Sequence, residues 1–201
     1  MRRTGRGRGW LRRSVVLAAG AVAVLAVTMP AAGAAGQEHR LPFGNPLGLS
    51  TSRAAELQGR IDDGLRRATA PGKQNSQSTI AFENGAVVMG FAVPGIANTY
   101  CPVGGTHPGA GSGWMCVYDD YFYQGAWLQY YECGRYSFKP YAFEDRTSSW
   151  INDQTPGTSG WLYSDSGVGG YEEFAYSTAQ AYEPQMDPSV DDKADGIVLC
   201  E

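Results

Sequence analysis

The chain has 201 residues, of which 43% are hydrophobic and 18% charged, and its formal net charge is −4 at pH 7. From Cys101 onward, fifteen Asp and Glu residues face only four Lys and Arg residues. Because nucleic-acid binding requires a basic face for phosphate contacts, this distribution argues against nucleic acid as a partner.

The first 35 residues have the order of a signal peptide. The basic stretch "MRRTGRGRGWLRRS" precedes the apolar run Val15–Met29, and "PAAGAAG" then offers a cleavage site after Ala34 or Ala35. The apolar run has 15 residues, which is short for a membrane span. We therefore expect a secreted protein that leaves the membrane after cleavage. Its mature net charge is −10, because six basic residues and no acidic ones are removed.

Residues 36–99 are predicted to form an N-terminal arm. Apolar residues recur at helical spacing from about Arg53 to Ala68, and Ser50 or Ser52 is suited to cap that helix. The turn formers in "APGKQNSQS" indicate a linker. In "TIAFENGAVVMGFAV", Asn84-Gly85 separates two strand-like runs, which predicts a β-hairpin.

Residues 100–201 are predicted to form a separate all-β domain. Tyr, Phe and Trp are dense in this region, glycine interrupts them often, and no helical periodicity is visible. Short strands joined by tight turns are typical of a sandwich or barrel.

The four cysteines lie in this second region, and an exported chain favours two disulfides. Three pairings are open, and we favour joining the first two and the last two, since the first pair closes a local loop. A zinc site is the alternative, but the spacings do not fit it and His39 and His107 are the chain's only histidines. The cysteines are Cys101, Cys116, Cys133 and Cys200.

An internal repeat with an offset of 45 residues runs through the second region. Tyr118 is followed seven positions later by Gly125, and Tyr163 is followed seven positions later by Gly170. Downstream of the first copy lies "EDRTSS", residues 144–149, and downstream of the second lies "DDKADG", residues 191–196. Two elements in the same order at similar spacing indicate two related structural motifs.

This pattern resembles the paired Greek-key motifs of the βγ-crystallin superfamily, over residues 101–201. In that superfamily an aromatic residue, six residues and a glycine form a folded hairpin, which a later acidic and hydroxyl-bearing segment closes. The segments "CVYDDYFYQGAW" and "FEDRTSSWIND" also resemble sequences of a family of small secreted bacterial inhibitors of metalloproteinases. The resemblance implies a two-motif βγ-crystallin-like sandwich, in which Ser148 or Ser149 ties down the hairpin that begins at Tyr118.

The resemblance also implies calcium, bound where the closing segment of one motif meets the hairpin loop of the other. Hard cations such as calcium take oxygen ligands from carboxylates, hydroxyls and backbone carbonyls. The sequence departs from the pattern at Glu144, where Asn or Asp is usual, and at Asp195-Gly196, which replaces two hydroxyl residues. Plain turn-stabilising roles are the alternative for the same side chains. The implied ligands are Asp145, Ser148 and the loop near Asp165 for one site, and Asp192, Asp195 and the loop near Asp119 and Asp120 for the other.

The function implied by the resemblance is inhibition of an extracellular metalloproteinase. We expect no enzyme activity, since no nucleophile motif surrounds a serine and the cysteines are assigned to disulfides. The loop Pro102–Met115, with His107 and Trp114 as anchors, is the candidate inhibitory element; the alternative for this glycine-rich loop is a mobile insertion without a partner. The alternative is a secreted module without inhibitory activity that binds calcium, an envelope component or a glycan.

Overall fold

A computed structural model describes residues 43–96, 113–165 and 171–200, all of which belong to one compact unit. The predicted signal peptide, its cleavage site and the predicted domain boundary at residues 99–100 lie outside these ranges. Within them, no helix is long and apolar enough to cross a membrane.

The predicted helix is α1, Thr51–Arg67. Ser50 caps it, because its hydroxyl accepts the Arg53 N–H at 3.5 Å and so satisfies one of the free donors of the first turn. Leu57 and Ile61 lie one turn apart on its buried face and have no exposed surface.

The predicted hairpin consists of β2, Thr79–Phe82, and β3, Val87–Gly90. Asn84 lies in the connecting turn with φ 57°, a left-handed conformation that asparagine tolerates well. The linker prediction was wrong at one point, because Gly72–Gln74 forms β1 and pairs with β2. Polar residues such as these are compatible with an edge strand, whose ladder hydrogen bonds come from the backbone.

Two four-stranded motifs follow, and each has the connectivity of a Greek key. The first motif consists of β4, Trp114–Asp120; β5, Gln124–Tyr130; β6, Gly134–Ser137; and β7, Ser149–Asp153. The second motif consists of β8, Ser159–Asp165; β9, Tyr171–Thr178; β10, Ala181–Glu183; and β11, Gly196–Leu199.

The two motifs exchange their third strands. The seven-stranded sheet has the order β1-β2-β3-β5-β4-β7-β10, so β10 of the second motif pairs with β7 of the first. The four-stranded sheet has the order β6-β11-β8-β9, so β6 of the first motif pairs with β11 of the second. This exchange makes the fold the predicted βγ-crystallin-like Greek-key sandwich, and the hairpin extends one of its sheets through the pairing of β3 with β5.

The principal core draws on every part of the described chain. Leu57 of α1, Ile80 of β2, Leu128 of β5 and Ile197 of β11 belong to one buried cluster. A second buried cluster lies on the other face of the seven-stranded sheet, because successive residues of β4 alternate between the two clusters. Its members are Val88, Cys116, Tyr118, Trp127 and Ile151.

The Cys133–Cys200 disulfide is confirmed. Cys133 directly precedes β6 and Cys200 directly follows β11, and their Cα atoms are 5.3 Å apart across these paired strands. Cys116 is also disulfide-bonded, whereas Cys101, its predicted partner, lies outside the described residues.

Candidate functional site

The folded hairpin of the first motif, residues 118–125, has an aromatic base. The buried ring of Tyr118 packs edge-on against Tyr123, with ring centroids 5.7 Å apart. Gly125 has φ 76°, and a Cβ at this position would overlap the carboxylate of Asp119. Glycine is therefore required here both by the backbone conformation and by the close approach of that side chain.

Ser149 holds this hairpin closed. Its Oγ donates to the carbonyl of Asp120 at 2.7 Å and accepts the N–H of Tyr123 at 3.1 Å. Ser148 has a different position, because its Oγ donates to Asp192 of the second motif at 3.2 Å. The two neighbouring hydroxyls therefore stabilise two different junctions, one within the first motif and one between the motifs.

The second motif uses a carboxylate where the first uses a hydroxyl. Asp195 Oδ2 accepts the N–H of Asp165, at the end of the equivalent hairpin strand, at 2.6 Å. Gly196 takes the place of Ser149, and a Cβ there would overlap the ring of Tyr163. Although Asp195-Gly196 departs from the expected pattern, the closing segment of the second motif is therefore still hydrogen-bonded to its hairpin strand. Gly170 lies outside the described residues.

The closing segments of the two motifs bond to each other with approximate two-fold symmetry. Asp145 N–H donates to the carbonyl of Ala194 at 3.0 Å, and Asp192 N–H donates to the carbonyl of Thr147 at 3.1 Å. The closing segments bring Asp145 near Asp195 and Asp192. Partial loss of hydration and then the charges of these two neighbours raise the pKa of the Asp145 carboxyl.

The hairpin carboxylate Asp119 binds a backbone N–H and an arginine of its own motif. Asp119 Oδ1 accepts the N–H of Ala126 at 2.6 Å, and Asp119 Oδ2 forms an ion pair with Arg146. Burial raises the pKa of Asp119, although the charge of Arg146 acts in the opposite direction. Asp191, which was not among the implied ligands, accepts a hydrogen bond from the hydroxyl of Tyr121.

Three of the implied calcium ligands have partners within the chain. Asp119 is engaged with Arg146, Asp192 with Ser148, and Asp195 with the backbone of Asp165. In the part of the chain that the structure describes, no group of three or more Asp, Glu, His or Cys side chains is arranged to hold a metal ion. Side-chain oxygens of Asp119, Asp192 and Asp195 are thus engaged by groups of the chain itself.

A charged groove of about 260 Å³ lies between α1 and the folded hairpin. It combines three arginines with three aspartates, so its positive and negative charges balance. The charged residues of its wall are Arg60, Asp63, Arg67, Asp119, Asp120 and Arg146.

Phe122 projects from the tip of the hairpin and is 56% exposed. Its backbone has φ 56° and ψ 35°, a left-handed conformation that is uncommon for a bulky residue. Its N–H donates to the carbonyl of Pro184 at 2.7 Å, which places the loop beside the end of edge strand β10. Tyr182 on β10 is 57% exposed. The sequence prediction missed Phe122, although three successive aromatics in "DDYFYQG" exceed what the hairpin needs for packing.

The candidate inhibitory loop falls largely outside the described residues. This applies to His107 and to residues 102–112. Trp114 begins β4, and its ring lies 5.0 Å from that of Tyr131, which is 57% exposed.

Solved structures similar to this chain are βγ-crystallin domains. A domain from Flavobacterium johnsoniae is 24% identical, covers 42% of this chain and 91% of its own length, and has a TM-score of 0.32. A domain from Clostridium beijerinckii is 18% identical, covers 43% of this chain and 95% of its own, and has a TM-score of 0.34. The N-terminal domain of protein S is 19% identical, covers 43% and 93%, and has a TM-score of 0.33. No protein-family model and no curated protein matches the sequence.

Proposed function

We propose that this protein is a secreted, non-catalytic inhibitor of extracellular metalloproteinases that uses the hairpin tip around Phe122 as its contact. The observation that carries the proposal is the exposure of Phe122 in a left-handed backbone conformation. Backbone strain at an exposed apolar residue adds nothing to core packing, and such strain is often associated with function. The similarity of the surrounding sequence to metalloproteinase inhibitors favours a protease as the partner.

The hairpin tip is preorganised for binding. Ser149 fixes the backbone on both sides of Phe122, and the carbonyl of Pro184 fixes the Phe122 N–H. The hydroxyl of Tyr121 is bonded to Asp191 of the other motif. An aromatic residue presented on a backbone that is already fixed loses little backbone entropy on binding, and buried aromatics are frequent anchors in protein interfaces.

A binding role fits the chemistry of the junction better than catalysis. Both serine hydroxyls of "EDRTSS" have structural partners, Asp120 and Tyr123 for Ser149 and Asp192 for Ser148. A hydroxyl that holds a backbone turn is not available as a nucleophile without loss of that turn.

An inhibition titration tests the proposal. Oxidised protein beginning at residue 36 would be titrated against thermolysin-like enzymes, with serine proteases as controls. We expect inhibition of the metalloenzymes alone. Phe122→Ser should weaken it by roughly 30-fold, the effect of losing an interface anchor of about 2 kcal/mol.

Tyr131→Ser is the matched control, because Tyr131 is equally exposed at the opposite end of β5. It should leave inhibition unchanged. If no metalloproteinase is inhibited by the folded protein, the proposal fails. If Phe122→Ser and Tyr131→Ser behave alike, the hairpin tip is not the contact.

The second candidate is a non-inhibitory envelope or glycan-binding module. The surface pair of Trp114 and Tyr131 favours it, since aromatic faces stack on sugar rings and this pair is partly exposed. Retention on peptidoglycan or chitin that is lost in Tyr131→Ser, together with absence of inhibition, would select this function.

A further inference from the structure

The Arg146 guanidinium joins two parts of the first motif. Its Nη2 contacts Asp119 on the hairpin, and its Nη1 donates to the carbonyl of Ala142, before the closing segment, at 3.0 Å. We infer that Arg146 is the built-in cation of this junction, so that the hairpin carboxylate Asp119 is neutralised by the chain itself and the junction does not need a divalent metal.

The position of the pair supports this role. The side chains of Arg146 and Asp119 are 28% and 18% exposed, so both charges are largely removed from water. The guanidinium also lies over the ring of Phe143, 4.7 Å from its centroid. A partly desolvated charge pair with additional hydrogen bonds is far more sensitive to loss of one partner than a surface ion pair.

The coordination of Asp119 leaves little capacity for a metal. One carboxylate oxygen accepts the Ala126 N–H at 2.6 Å and the other faces Arg146. Arginine suits this place because its planar fork binds a carboxylate and a carbonyl at the same time, whereas an ammonium group is a point charge.

Other charged side chains line the groove in which this ion pair lies. Arg60, Arg67 and Asp63 approach it from α1, and Asp120 lies beside Asp119 on the hairpin. Asp120 raises the pKa of Asp119, so removal of Arg146 would leave two adjacent carboxylates without their nearest cation. The inference is independent of the proposed inhibitory role of Phe122.

A double-mutant cycle tests the inference. Urea and thermal unfolding would be measured in a chelator for the wild type, Arg146→Gln, Asp119→Asn and the double variant. We expect each single change to lower the melting temperature by roughly 3–8 °C. The double variant should be at least as stable as the less stable of the two single variants, because the two residues act as one pair.

Arg135→Gln is the control, since Arg135 contacts Glu173 at 3.9 Å and lies over the ring of Tyr163, but is more exposed. It should show a smaller loss. If Arg146→Gln does not fold, Arg146→Lys replaces it. Its melting temperature should lie between those of the wild type and Asp119→Asn, because lysine keeps the charge but lacks the planar guanidinium.

Two results would overturn the inference. One is additive losses for Arg146 and Asp119, which would mean that they stabilise separate features. The other is a wild-type melting temperature that falls when calcium is replaced by chelator, with Asp119→Asn abolishing that fall. The expected result is a wild-type melting temperature equal in calcium and in chelator.

Discussion

The hydroxyl of Tyr141 donates to the carboxylate of Glu83, which joins the Greek-key region to the turn of the N-terminal hairpin. The ring of Tyr141 also packs edge-on against Phe82 of β2, with centroids 5.1 Å apart. The carbonyl of Pro140, the preceding residue, accepts the N–H groups of Thr69 and Ala70 at 2.9 Å. One short segment of the first motif therefore contacts both the helix end and the hairpin of the arm.

Tyr141→Phe should destabilise the protein by about 1 kcal/mol, because one hydrogen bond to a partly exposed carboxylate is lost while the ring packing remains. Burial, followed by the hydrogen bond to Glu83, raises the pKa of Tyr141, so the hydroxyl is protonated and remains a donor at neutral pH. Urea unfolding would measure the loss. Tyr131→Phe removes a hydroxyl from an exposed ring and should cost nothing; equal effects would contradict the prediction.

Ser149→Ala should cost about 1–3 kcal/mol, since it orphans the Tyr123 N–H and the Asp120 carbonyl beneath the hairpin. Ser148→Ala removes one longer hydrogen bond, to Asp192 at 3.2 Å, and should cost less. Chemical denaturation of both variants gives the comparison. An unchanged midpoint for Ser149→Ala would rule out the proposed closing role.

Opening the Cys133–Cys200 disulfide should cost up to about 4 kcal/mol in the chain-entropy model, because the bond spans 67 residues. The paired variant Cys133→Ser with Cys200→Ser avoids leaving a free thiol. Its thermal unfolding would be compared with that of the oxidised wild type. A melting temperature equal to that of the wild type would show that β6 and β11 hold each other without the bond.

Local signals predicted much of this fold. Helical spacing and Ser50 located α1, Asn84-Gly85 located the hairpin turn, and the Tyr-to-Gly spacing located the folded hairpin of the first motif. These features are encoded by residues close together in sequence. The extension of the Greek-key sheet by β3 was not anticipated, because pairing with β5 depends on residues about 40 positions away.

The site was less predictable for the same reason. The family resemblance implied Asp119 and Asp145 as candidates, but the assignment of partners depended on three-dimensional contacts. Arg146 is 27 residues from Asp119, and nothing local indicates that its side chain turns toward the hairpin. Phe122 was missed because aromatic residues were assigned to the core, whereas the left-handed turn directs this one to solvent.

Asp145→Asn should stabilise the protein at neutral pH. Partial loss of hydration and the charges of Asp195 and Asp192 raise the pKa of Asp145 above its ordinary value of 3.8. A carboxyl with a raised pKa in the folded state stabilises the fold most when protonated, and that contribution is lost as the pH rises through the folded-state value. Asparagine remains neutral at every pH and tolerates the left-handed backbone at this position, where φ is 53°.

The gain should be less than about 1 kcal/mol, because Asp145 is exposed and solvent screens its neighbours. Melting temperatures of the wild type and Asp145→Asn, measured in chelator from pH 7 to pH 3, would test this. The difference should favour the variant at pH 7 and disappear below the ordinary value of 3.8. Glu144→Gln removes a charge from the adjacent position and should lack this pH-dependent gain. A variant that is less stable than the wild type at neutral pH would mean that the Asp145 carboxylate has a stabilising partner, and the repulsion between the closing segments would then not be the dominant effect.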